Sequence, residues 1–179
     1  MKKIYTLVII ALFIASCSLS DSKKETKITL KMLEEKIEVL RTSNSLETEK
    51  IKDLVASIEK YVAENKENSK TPELLEVKAK YLTALGSNKE SLAVYEDIYN
   101  NYKSYKNNSD ALFMMAFITE NNIQDKKKAE LIYKKYMAEF PNGSFYRDAV
   151  FSLENMYKTP EEMNEMFERM RKASESTPE

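Results

Sequence analysis

The chain has 179 residues, enough for one domain or an array of small repeats, and its 42% hydrophobic and 32% charged residues can fill a core beneath a well-solvated surface. With 28 basic against 29 acidic residues it has no positive excess to neutralise phosphates, which argues against general nucleic-acid binding. Histidine and tryptophan are absent, and Gly 2 and Pro 4 are too few for a sandwich or barrel that turns at short intervals, so the composition points to an all-α chain.

Residues 1–16 open with Lys2 and Lys3, continue as an apolar run from Ile4 to Ile14, and end on the small residues Ala15 and Ser16 before Cys17, the single cysteine. That layout is a secretory signal peptide. The apolar run is too short to span a bilayer at a rise of about 1.5 Å per residue. Ile14-Ala15-Ser16-Cys17 resembles the bacterial lipobox, usually Leu-(Ala/Ser)-(Gly/Ala)-Cys, and departs from it at Ile14 and Ser16. The resemblance implies diacylglycerol on the Cys17 thiol, cleavage before Cys17 and acylation of the new amine. The other reading is an ordinary signal peptide with an incidental cysteine. Several acyl chains anchor a protein firmly, at roughly 0.8 kcal/mol per buried CH₂. Ser18, standing where aspartate would favour inner-membrane retention, leans to the outer membrane. Residues 17–26 are polar and unpatterned, a lipidated tether. They carry no acidic block of the kind that marks surface export, which leans to the periplasmic face.

Residues 27–45 predict a helix on the 3-4-3 spacing of Leu30, Leu33, Ile37 and Leu40, and Ile51, Leu54, Ile58 and Tyr61 continue that phase. It is read either as half of a first hairpin or as a short oligomerising coiled coil. The hairpin is preferred because two heptads fall short of the three or four that mark a coiled coil. The oligomeric state stays open.

From residue 46 to 173 the chain repeats itself. Asp110-Ala111-Leu112-Phe113 recurs as Asp148-Ala149-Val150-Phe151, Tyr95 recurs as Tyr133 at the same offset, and Glu73 precedes Asp110 by nearly the same interval. Self-similarity at a period of about 30–40 residues signals stacked helix pairs. Thr71 is expected as an N-cap with Pro72 at the first helical position, and Gly86 as the C-terminal stop. Leu92, Tyr95, Ile98, Tyr99 and Tyr102 form one apolar stripe; Ala129, Ile132, Tyr133, Tyr136 and Phe140 form another, stopped by Pro141. Tyr105 falls in a loop and is expected to be freer than Tyr99 and Tyr102. Thr159 and Glu162 form a capping box around Pro160, opening a helix whose face is Met163, Met166, Phe167 and Met170, read as a terminal cap. Residues 174–179 are read as a disordered tail.

The pattern Ala129, Tyr133, Tyr136, Phe140-Pro141, Ala149 and Leu153 resembles the tetratricopeptide repeat. Residues 46–173 are similar to the variety found in bacterial envelope lipoproteins of the BamD and CpoB type, the latter of the Tol-Pal system. Residues 109–141 match best, with Ala116, Ala129 and Pro141 at the consensus small, small and proline positions; Lys78, Ser91 and Lys103 depart from the pattern. The resemblance implies an all-α solenoid of about three to four helix hairpins. It also implies a concave groove lined by the first helix of each pair. The groove positions are Glu76, Lys80, Asp110, Phe113, Phe117, Glu120, Phe151 and Asn155, with Glu73, Thr83 and Asp148 beside them. Aromatic anchors in a polar rim suit a protein or peptide partner. The structural alternative is that Phe113, Phe117 and Phe151 only pack between helix pairs.

No GxGxxG, Walker A, zinc or EF-hand pattern is present, and no cofactor or metal is expected. Adjacent carboxylates such as Glu34-Glu35 and Glu161-Glu162 point about 100° apart on a helix, as solvated surface does. The sequence therefore reads as a non-enzymatic outer-membrane lipoprotein that binds a protein partner in an envelope assembly or maintenance scaffold. The alternative function is a glycan-binding accessory protein or a cryptic enzyme acting on the cell wall.

Overall fold

The structure is a computed structural model that describes residues 27–43 and 47–175. The signal segment, the tether and Cys17 lie outside the described residues, as do residues 176–179. Among the described residues the chain forms eight α-helices and no strand: α1 (Leu30–Thr42), α2 (Thr48–Glu64), α3 (Thr71–Ala84), α4 (Asn88–Asn101), α5 (Asn108–Asn121), α6 (Lys126–Glu139), α7 (Tyr146–Asn155) and α8 (Pro160–Glu175). The fold is all-α and repeat-like, because from α1 to α7 each helix packs chiefly on the one before and the one after it in the chain. No helix among the described residues is long and apolar enough to cross a membrane.

Two apolar clusters meet in the middle. Leu33, Leu40, Ile51, Leu54, Ile58, Tyr61 and Leu74 join α1, α2 and α3. A larger cluster runs from Leu75 on α3 to Met156 after α7, and Val55 and Val62 touch both. The 3-4-3 spacing of Ile51, Leu54, Ile58 and Tyr61 puts all four on the buried stripe of α2. Ala79, Ala116, Ala129 and Ala149 are fully buried. Side chains this small leave room between the helices for the buried rings of Tyr95, Tyr133 and Tyr136.

The helix ends follow local chemistry. Gly86 takes φ 77°, with its N–H on the Thr83 carbonyl and the Ser87 N–H on Leu82, a complete Schellman stop. Thr159 and Glu162 exchange hydrogen bonds at 2.7 and 3.2 Å, a reciprocal capping box. Thr71 corrects its expected role. It is the first residue of α3 rather than its cap, and its buried hydroxyl donates to the Asn65 carbonyl at 2.5 Å, tying α3 to the end of α2. Asn108 does the same at the start of α5: its amide donates to the carbonyls of Ile98, Tyr99 and Tyr102, closing the end of α4 on the next helix. α8 runs to Glu175, past the expected domain end, and buries none of its described side chains.

Candidate binding cleft between α5, α7 and α8

α5 sits between α4 and α6 and is apolar on most sides, from Ala111 to Ile118. Phe113 is buried in the core. It stacks on Phe145 with ring centres 4.5 Å apart and planes 11° apart, and lies 5.7 Å from Tyr133 and from Tyr136. One turn on, Phe117 lies 6.4 Å from Phe113 but remains 41% exposed. Phe151 of α7 is 43% exposed. Both open onto one cleft of about 990 Å³, floored by Phe113 and Phe145 and closed towards α8 by Met163.

The rim is polar. Glu120 accepts the Tyr133 hydroxyl at 2.9 Å, and Asn155 donates to the Phe151 carbonyl at 2.6 Å while its oxygen accepts Lys158 at 2.6 Å. Burial pushes the Tyr133 phenol well above its ordinary range, and the Glu120 carboxylate adds to the shift. The phenol therefore stays protonated and keeps Glu120 at the edge of the cleft. Asp148 and Lys126 add one charge of each sign to the lining.

Phe113, Phe117, Glu120, Phe151 and Asn155 thus come together, although Phe113 serves as packing, as the structural alternative has it. Glu76, Lys80 and Asp110 do not line this cleft. Glu76 accepts Lys80 at 2.5 Å, Tyr105 at 2.6 Å and Asn107 at 2.9 Å, so Tyr105 is held rather than free. Burial alone would raise the Glu76 carboxyl; the hydrogen bonds from Lys80, Tyr105 and Asn107 outweigh it and hold the group below its ordinary value. Asp110 accepts the Ser109 hydroxyl at 3.2 Å. Burial raises its carboxyl, against that hydrogen bond, and the nearby Glu76 charge adds to the rise.

The lining residues that sequence reasoning misses include Phe145, Met156 and Met163. Phe145 occupies the place that Asn107 holds one repeat earlier, so the offset marks its position, but the change from amide to phenyl hides its role. Met163 reads as part of a cap; α8 instead leaves Phe167 and Met170 at least half exposed. Among the described residues no group of three or more acidic side chains is placed to hold a metal ion. Compared with known proteins, the chain matches no family model and no curated protein. An arrangement of two half-exposed rings above an aromatic floor, with carboxylates at the edge, can grip an apolar side chain of a peptide or helix while contacting its polar flank.

Proposed function

We propose that this protein is a lipid-anchored envelope protein of the tetratricopeptide type, a solenoid that holds a protein partner in the cleft between α5, α7 and α8. The observation that carries the binding role is the pair of half-exposed phenylalanines, Phe117 and Phe151, on a single cleft of about 990 Å³. A cleft of this size is ample for the anchor side chains of one partner segment. The likeness of Asp110–Phe113 to Asp148–Phe151 and the serial packing of α1 to α7 support the solenoid reading. The lipobox-like Ile14-Ala15-Ser16-Cys17 supports attachment through Cys17, on the periplasmic face of the outer membrane. On this reading the protein works by holding, as part of an envelope scaffold, and performs no chemistry.

The test is a pull-down from envelope extracts that compares the wild type with Phe117→Ala/Phe151→Ala. Both rings are partly exposed, so the double variant keeps the core intact. The expected result is one or more partners whose recovery falls at least about tenfold in the variant, as loss of two anchor residues implies. Identical partners at identical yield would overturn the cleft assignment.

A further inference from the structure

The turns that join α2 to α3 and α4 to α5 lie side by side and leave a second cleft of about 700 Å³, lined mostly by polar side chains. Tyr102 and Tyr105 supply its aromatic surface. The Tyr105 hydroxyl is held by Glu76 at 2.6 Å, which fixes its ring. The Tyr102 hydroxyl reaches the Lys66 carbonyl at 3.4 Å, a weak bond that a better partner would displace.

The polar groups are half used. Asp97 and Asn101 are one turn apart on α4, and the Asn101 amide donates to one Asp97 oxygen at 2.6 Å. That bond leaves the second carboxylate oxygen and the Asn101 carbonyl as acceptors. Asn68 accepts the Lys70 N–H at 2.9 Å, which leaves its NH₂ as a donor. Lys66 and Lys106 balance Glu67 and Asp97, so the cleft has no net charge with which to select a phosphate or a cationic chain.

The equivalent place one repeat later is informative. There Lys135 and Glu139 replace Asp97 and Asn101. Tyr99 donates to Glu139 at 2.6 Å, and Lys103 and Lys135 stand 3.6 and 4.6 Å from its ring centre. Those side chains are engaged with one another. The earlier place carries an open cleft whose donors and acceptors point to a ligand rich in both.

We infer that the cleft between the α2–α3 and α4–α5 turns binds a neutral oligosaccharide. A sugar has an apolar C–H face that suits the Tyr102 ring, and hydroxyls that donate to Asp97 and Asn101 and accept from Asn68. A lipid or an apolar helix would leave those polar groups without partners.

The test uses the full-length chain, kept in solution with a detergent that contains no sugar, titrated with chitotetraose and with cellotetraose by calorimetry and ligand-observed NMR. The expected result is saturable binding of at least one sugar, with Kd on the order of 1 mM or tighter. Asp97→Ala/Asn101→Ala weakens it at least about tenfold, while Phe117→Ala/Phe151→Ala leaves it unchanged. Asn101 is exposed and Asp97 half-buried, and equal thermal melts check that the variant folds; Asn101→Ala alone serves if the double variant melts lower. No binding of either sugar overturns the inference. So does binding that survives the α4 changes, binding lost with the phenylalanine pair, or tighter binding of inorganic phosphate than of either sugar.

Discussion

Tyr136 shows how closely single residues are fitted. Its hydroxyl accepts the Phe145 N–H at 3.0 Å and occupies the space that a side chain on Gly143 would take. A Cβ there would stand 2.9 Å from the Tyr136 Cζ and closer still to its oxygen. Gly143→Ala is therefore expected to destabilise by about 1–3 kcal/mol through overpacking, and Tyr136→Phe by about 1 kcal/mol through the lost hydrogen bond. Combined, the two changes should be less damaging than their sum in thermal denaturation, because phenylalanine gives back part of the room. Two carboxylates carry opposite pH signatures. Glu76 is held below its ordinary 4.5 in the folded chain, so its contribution to stability is complete above that value and is lost as pH falls through the lowered one. Asp110 is raised above its ordinary 3.8, so its ionisation disfavours the fold as pH rises through the interval between the two values. Chemical denaturation followed across about pH 3–7 should show Glu76→Gln least stable relative to wild type near neutrality, with the gap closing in acid. Asp110→Asn should gain stability near neutrality and lose that gain in acid.

At the scale of elements, α8 differs from the others. It has a complete capping box at Thr159 and Glu162, but none of its described side chains is buried. Its helical state thus leans on local terms where α2 to α6 lean on packing. Thr159→Ala is expected to remove about 1 kcal/mol from α8 alone. Hydrogen exchange should then speed up in the α8 amides and stay unchanged in α4 to α6, with little shift in the global melting temperature. Periodicity reveals this helix and its capping box well, since both depend on residues within a few positions of one another. The stripes of α2, α4 and α6 are legible for the same reason. What stays hidden is long-range pairing. Thr71 looks like a cap from its neighbours alone, yet the end of α2 supplies a carbonyl for its hydroxyl. Tyr105 looks unattached until Glu76, 29 residues earlier, comes within 2.6 Å. Of the expected groove residues, those from Phe113 onward on α5 and those on α7 share a cleft, with Phe145 beneath them. Glu76 is engaged by the α4–α5 turn instead.

At the scale of the whole molecule, neighbouring helices share one another's apolar faces, and the large core is continuous from α3 to the end of α7. Tyr99 to Glu139 and Tyr105 to Glu76 add hydrogen bonds between helix pairs that the stripes alone do not supply. Such an array can hold its binding surfaces at fixed spacing, and on the proposed reading a lipidated tether gives it slack at the membrane. The central claim is that the Phe117 and Phe151 cleft receives a protein. It is tested most directly by placing a photocrosslinking phenylalanine analogue at Phe117 and, separately, at Leu131 on α6, which is 69% exposed and outside the cleft lining. Irradiation of envelope-bound protein should give a discrete protein adduct from position 117 and none from position 131; no adduct at 117, or the same adduct from both positions, would contradict the account.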